Sequence, residues 1–214
     1  MRVGCFGCFF LVSAVLACVV VAGGVIFLSE NLFREPDVRP VPFSKSDGYL
    51  AQQKLYEIVQ RQSSRSSRKD VIRISEAEAN AFLARHLEKA GIPVSPLIVH
   101  FEDGQFRVQG QAPLRSLFKG PPFAQLLAYV PDSRLDRPVW VTIRGRIAVE
   151  AGNTASTRTA SVDITRFELG RQLLGNFLLY LIMGPSGGGL LRWSIPGVVD
   201  SVQIGDGQLA ITTR

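Results

Sequence analysis

The sequence predicts an α+β protein in which an N-terminal transmembrane helix precedes an antiparallel sheet packed with helices. Three observations predict this class. An uncharged run opens the chain, strand-period alternation dominates its second half, and a helix-then-hairpin unit occurs twice.

The opening run, Val3 to Leu28, has 26 residues and no charge. A helix needs about 20 apolar residues to cross a bilayer core. A cleaved signal peptide is the competing reading, but its apolar region is only about 7 to 15 residues. Length therefore favours an uncleaved anchor over residues 1–28. "VLAC" before Cys18 loosely matches a lipoprotein processing site, yet the apolar run continues past the cysteine, where a lipidated chain would turn polar. Lys and Arg nearly balance across the run, with Arg2 on one side and Arg34, Arg39 and Lys45 on the other, so charge leaves orientation open. All 3 cysteines lie within it. The remainder thus lacks a cysteine nucleophile or Cys-based metal site, which suits an extracytoplasmic domain, periplasmic or extracellular. The net charge of +6 comes mainly from arginine and favours anionic partners. Beside a span, membrane lipid is the expected partner and nucleic acid is not.

Residues 29–47 carry Pro36, Pro40 and Pro42 with mixed charge, as an extended linker does. The domain proper is expected over 48–214. A helix should run from about Gly48 to Gln62, with Leu50, Leu55, Ile58 and Val59 partly on one face. Arg61, Arg65, Arg68 and Lys69 follow as a solvated loop or a contact for anionic headgroups. "VIRIS" (Val71 to Ser75) alternates as a strand. Ser75 and Glu78 form a capping box opening a helix whose apolar face is Ala79, Phe82, Leu83, Leu87 and Ala90. His86 sits on the edge of that face as a packing residue, and His100 is expected to face solvent. Between prolines, "FAQLLAYV" predicts a short helix with Phe123, Leu126, Leu127 and Val130 on one side.

From Val139 to Leu169 the alternation predicts two strands joined at Gly152-Asn153, setting Ile143 opposite Val162 and Val141 opposite Ile164. The phase slips near Arg166, the mark of a bulge or strand end. "GRQLLGNFLLYLIMG" then reads as a helix bearing Leu173, Leu174, Phe177, Leu178, Leu181 and Ile182. It is too short to span a bilayer, and is either core, cavity lining or membrane-surface contact. "GPSGGG" is no phosphate loop, because no Lys-Ser/Thr follows it.

The repeat pairs "GIPVSPLIVHFEDGQFRV" (Gly91 to Val108) with "SIPGVVDSVQIGDGQLAI" (Ser194 to Ile211). A D-G dipeptide between apolar alternations signals a type I′ hairpin. Centring the turns there pairs Phe101 with Phe106, Val99 with Val108, Ile204 with Leu209, and Val202 with Ile211. Turn geometry already accounts for Asp103 and Asp206, so neither is read as catalytic.

"VIRISEAEANAFLARHL", "FELGRQLLGNFLLYLI" and the closing "IPGVVDSVQIGDGQLAIT" resemble single-span bacterial envelope proteins of the YpmS and LmeA type. The resemblance covers most of Val71 to Arg214 and rests on structural motifs. It implies a curved sheet wrapped around helices, as in tubular lipid-binding domains, and brings no catalytic residue. The expected function is non-enzymatic binding of lipid or another amphiphile by a membrane-anchored extracytoplasmic domain. Its cavity would be lined by Phe82, Leu87, Leu126, Phe177, Leu178 and Leu181. The alternative is an envelope scaffold acting through protein contacts. A hydrolase is disfavoured by the lack of a nucleophile motif, and no cofactor or metal is expected.

Overall fold

The structure, a computed structural model, describes residues 30–63, 69–90, 94–118, 131–151, 157–176, 179 and 191–214, with side chains at all of these except 63 and 87–90. Its elements are α1 (Lys45–Ser63), β1 (Asp70–Ser75), α2 (Glu76–Ala90), β2 (Leu97–Glu102), β3 (Gln105–Pro113), α3 (Leu114–Leu117), α4 (Asp132–Leu135), β4 (Pro138–Ala151), β5 (Thr157–Leu169), β6 (Gln172–Leu174), β7 (Arg192–Pro196), β8 (Val199–Gly205) and β9 (Gln208–Thr213). The fold is α+β and every strand pair is antiparallel. One sheet has the order β1-β9-β8; the other runs β2-β3-β4-β5-β6, with β7 also on β5. Among the described residues no helix is long and apolar enough to cross a membrane. The expected span over 1–28 and most of the helix over 121–131 lie outside them.

Helix starts follow capping chemistry. At α2, Ser75 N–H donates to Glu78 Oε2 at 2.8 Å and Glu78 N–H donates to Ser75 Oγ at 3.2 Å, the capping box expected. A second box was missed at α1. Ser44 N–H donates to Asp47 Oδ2 at 2.7 Å, so the helix begins at Lys45 rather than Gly48.

Both D-G hairpins have the expected registers, Val99↔Val108 with Phe101↔Phe106 and Val202↔Ile211 with Ile204↔Leu209. The turns themselves differ. Asp103 and Gly104 have φ of +50° and +73°, as type I′ requires, whereas in the second turn only Gly207, at +73°, is positive. That sign pattern turns the Gly207 N–H outward, and it donates to Phe101 O at 2.8 Å. Asp103 N–H also reaches Asp206 Oδ1 at 3.4 Å, so the two copies meet at their turns.

The edge of the larger sheet is closed by α2. Val99 exchanges two 2.8 Å hydrogen bonds with the Asn80 amide, Phe101 N–H donates to Glu76 Oε1 at 2.6 Å, and Phe101 O takes the Gly207 N–H. All four edge-facing backbone groups of Val99 and Phe101 are thus satisfied, which protects an otherwise open edge.

The β4–β5 register corrects the expectation. Ile147 meets Val162 and Gly145 meets Ile164, four residues from the pairing set by a Gly152-Asn153 turn. Because β4 ends at Ala151 and β5 starts at Thr157, the connection is longer than two residues. The slip near Arg166 is a bulge: the register shifts opposite Arg144/Gly145, leaving Thr165 unpaired. After Leu169 the chain does not enter a helix at once. Gly170 and Arg171 turn it into β6, and Leu173 is exposed. Gly170 is required there: its φ is +59°, and a Cβ would lie 2.2 Å from Leu32 O.

Residues 29–47 were expected as an extended linker, and 30–44 form a strap against the larger sheet. Arg171 donates from its backbone to Asn31 O and from Nε to Glu35 O, Gln109 Nε2 donates to Asp37 O, and His100 Nε2 donates to Arg39 O. His100 is therefore buried, not solvent-facing, with Nδ1 3.3 Å from Glu76 Oε2.

Two cores result. Val139, Phe167 and Leu169 on the apolar face of the larger sheet pack with Leu114, Leu135, Ile164 and Leu179. Ile58 of α1 packs with Ile72, Ile74, Val199 and Ile211 of the smaller sheet.

Candidate functional site

Helix α1 carries two apolar stripes. Ala51 and Ile58 are buried against α2 and the smaller sheet, while Tyr49, Tyr56 and Val59 remain 61 %, 62 % and 53 % exposed. The second stripe has helical spacing of its own, so its exposure is a property of the whole face rather than of one residue.

Helix α2 lies alongside, antiparallel to α1: Gln52 faces Arg85, and Lys54 faces Glu78. The small residues Gly48 and Ala51 permit close approach, since a Cβ on Gly48 would lie 3.3 Å from Ala81 O. Lys54 Nζ bonds Glu78 at 2.6 and 2.8 Å and Arg73 O at 2.6 Å. Glu78 thereby fixes both the start of α2 and the helix pair. A charged group this buried is stable only because both of its oxygens find donors, Oε1 in Lys54 and Oε2 in Lys54 and the Ser75 N–H.

Above this clamp the helices leave an open cleft of about 700 Å³, lined chiefly by Tyr49, Leu55, Tyr56, Val59, Phe82 and Arg85, with His86 at its edge. The volume falls in the range of about 300–1,000 Å³ usual for small-molecule sites. Its floor is apolar and its rim cationic. The Arg85 guanidinium carbon stands 4.6 Å above the Tyr49 ring and Nη1 lies 3.3 Å from Gln52 Oε1. Arg85 has no carboxylate partner among the described residues. His86 stacks on Phe82 with centroids 4.0 Å apart, and its Nδ1 lies 2.8 Å from Phe82 O. Since a carbonyl can only accept, Nδ1 carries the proton and Nε2 is left toward the rim.

Of the six residues expected to line a cavity between sheet and helices, Phe82 lies in this α1–α2 cleft. The side chains of Leu87, Leu126, Phe177, Leu178 and Leu181 lie outside the described residues. The sequence reading missed Tyr49 and Tyr56, and it set Val59 and Leu50 on one face with Ile58, whereas Ile58 is buried and both of them are exposed. Tyr49, Tyr56 and Val59 have i, i+7, i+10 spacing, a second stripe beside the core-facing one. Arg61, predicted to touch headgroups, is instead a structural node. It donates to Asp70 Oδ2 at 2.8 Å, Glu57 Oε1 at 2.5 Å and Thr213 Oγ1 at 3.1 Å, and Asp70 and then Glu57 hold its guanidinium above its ordinary pKa. Lys69 is exposed, and Arg65 and Arg68 lie outside the described residues.

A second, smaller depression of about 470 Å³ is lined by Glu30, Phe33, Arg34, Arg134 and Arg137. Arg137 stacks over Phe33 at 4.7 Å. The lining of this depression holds three arginines and one carboxylate, and of these Glu30 and Arg34 come just after the apolar run in sequence.

Asp103 and Asp206 are exposed neighbours at the tips of their turns. Among the described residues no group of three or more His, Cys, Asp or Glu could hold a metal ion. Comparison of the chain with protein-family models, curated proteins and solved structures finds no significant match.

Proposed function

We propose that this chain is a membrane-anchored extracytoplasmic domain that binds a lipid or another amphiphile without chemical turnover, and that the α1–α2 cleft is where the apolar part lies. One observation carries the reading: an aromatic and aliphatic face, held open on a clamped helix pair, borders a guanidinium with no carboxylate partner among the described residues. An acyl chain on that face would contribute about 0.8 kcal/mol for each buried methylene. Arg85 is placed to meet the polar end.

The uncharged run of 26 residues supplies the anchor in this reading, and the Arg34, Arg134 and Arg137 depression follows it closely enough to meet headgroups. The curved, tubular arrangement implied by the YpmS and LmeA resemblance, with a second helix-then-hairpin unit ending in β8–β9, belongs to the same proposal. The same exposed face also suits a partner protein's helix, which is the scaffold alternative.

The test is photolabelling of the full chain in phosphatidylcholine nanodiscs with a diazirine fatty acid, followed by peptide mapping. Label on peptides spanning 49–59 and 82–86, lost in Val59→Glu, is the expected result. Label confined to residues 3–28, or unchanged in the variant, sinks the cleft. Cross-linking of the same peptides to a protein in native membranes, without lipid label, would favour the scaffold.

A further inference from the structure

The polar face of the larger sheet holds a feature that amphiphile binding does not use. In the antiparallel register Arg107 of β3 lies opposite Arg144 of β4, and Arg144 lies opposite Arg166 of β5. Directly opposed residues share a face with Cβ atoms about 5 Å apart, and like charges so placed destabilise a sheet. Three adjacent strands thus present three guanidinium groups in one transverse row.

The third arginine is there because of the bulge. Ile164 pairs with Gly145 on the apolar face, so strict alternation would set Thr165 beside Arg144 and turn Arg166 toward the core. The extra residue restores Arg166 to the polar face, in line with the other two. Bulges that re-aim a side chain in this way are common beside functional sites.

The outer two are balanced and the central one is not. Arg107 Nη2 donates to Glu102 Oε2 at 2.6 Å, and Arg166 Nε donates to Glu168 Oε1. Arg144 makes no hydrogen bond or ion pair among the described residues. Burial, and then Arg107 and Arg166, push its guanidinium below its ordinary pKa, opposed by Glu168 and Glu102. Among the described residues the buried side-chain polar atoms without a partner are Arg107 Nε, Gln109 Oε1, Trp140 Nε1 and Arg144 Nε, all on this one face. Also facing the row are His100, held by Arg39 O and Glu76, and one step along the sheet Arg146 and Asp163. Three of the unpartnered atoms, Arg107 Nε, Trp140 Nε1 and Arg144 Nε, are donors, whereas Gln109 Oε1 can only accept; orphaned donors around an unneutralised cation are a place prepared for an anion.

We propose that the Arg107–Arg144–Arg166 row binds a phosphate-type oxyanion, with Arg144 as its central ligand. Guanidinium forks match tetrahedral oxyanions in two-point fashion, and an incoming dianion would remove the repulsion that the empty row stores. Two sources share this chemistry, free phosphate groups and the phosphodiester of a lipid headgroup.

The full chain in neutral dodecyl maltoside micelles provides the test, with thermal unfolding followed by tryptophan fluorescence. One arm compares potassium phosphate with potassium chloride at equal ionic strength; the other compares plain micelles with micelles doped with phosphatidylglycerol. A midpoint raised by phosphate alone assigns a soluble oxyanion, and one raised by the lipid assigns a headgroup. Either response should disappear in Arg144→Gln, shrink in Arg144→Lys and Arg166→Gln, and persist in Arg192→Gln, a distant exposed arginine. No response to either anion in the wild type, or equal responses in wild type and Arg144→Gln, overturns the proposal. Should Arg144→Gln not fold, Arg166→Gln carries the same comparison.

Discussion

Replacing Asn80 by alanine should be among the costliest single changes in the domain. Asn80 is 1 % exposed, and its amide donates to Glu76 O and Val99 O and accepts from Val99 N–H, each at 2.8 Å. Alanine leaves the Val99 N–H and C=O buried without partners, at about 1–3 kcal/mol each. A loss of about 3 kcal/mol is therefore expected, roughly 150-fold in the folding equilibrium. With a urea dependence of about 2 kcal/mol per molar, the midpoint should fall by about 1.5 M. Asn80→Asp separates the two halves of the contact: its carboxylate still accepts from Val99 N–H but confronts Val99 O with a second acceptor, so it should not rescue. Urea titrations of the full chain in neutral micelles, read by tryptophan fluorescence, measure both. A loss under 1 kcal/mol for Asn80→Ala would refute the argument that α2 closes this sheet edge by side-chain hydrogen bonding.

Three further outcomes are expected. Asp47 is held below its ordinary pKa of 3.8, first by the Ser44 hydroxyl and then by the Ser44 N–H. A depressed carboxylate contributes stability that is present above 3.8 and lost as pH falls through the folded value, so α1 should fray only below pH 3.8. Carboxyl NMR titration checks this: Ser44→Ala should return Asp47 toward 3.8, and a wild-type value at or above 3.8 contradicts the cap. Gly170→Ala combines positive φ with a contact against Leu32 O, so it should release the strap and expose 30–44 to limited proteolysis; an unchanged digestion pattern would count against the strap's dependence on Gly170. Lys54→Met strips Glu78 of its cation while leaving the Ser75 cap, and should cost about 3 kcal/mol because the buried carboxylate loses its pair; recovery in Lys54→Met/Glu78→Gln relative to the single variant would confirm that origin.

Local chemistry made parts of this fold legible. The two D-G turns set hairpin registers correctly because a two-residue turn leaves no freedom in pairing. The Ser75–Glu78 cap is likewise a contact between near neighbours. The β4–β5 register was misjudged because a shift by four preserves alternation: Ile147 against Val162 buries apolar surface as well as Ile143 against Val162 does. Apolar pattern excludes odd shifts and cannot choose among even ones. His100 was assigned to solvent by the same alternation. What buries it is a segment some sixty residues upstream, and no local signal announces that a proline-bearing stretch will lie across a sheet. The cleft was half legible. Phe82 stood out on its helix, but the matching stripe of Tyr49, Tyr56 and Val59 faces away from the core, and Val59 was read with the stripe that faces it.

The smaller sheet imposes an order of events. Its middle strand β9 lies between β1 and β8, and Asp70 and Thr213 pair across 143 residues. Closing so long a loop is slow compared with forming either hairpin. Until β9 arrives, the apolar side of α1 has only part of its bed, for Ile58 rests on Ile72, Ile74 and Ile211 together. The helix pair can therefore hold its outer face in binding geometry only after residues near 213 have emerged and folded back. Under the proposed function, binding competence would then report the arrival of β9, and a chain cut short before β9 would bind nothing even though every residue of the cleft had already been made.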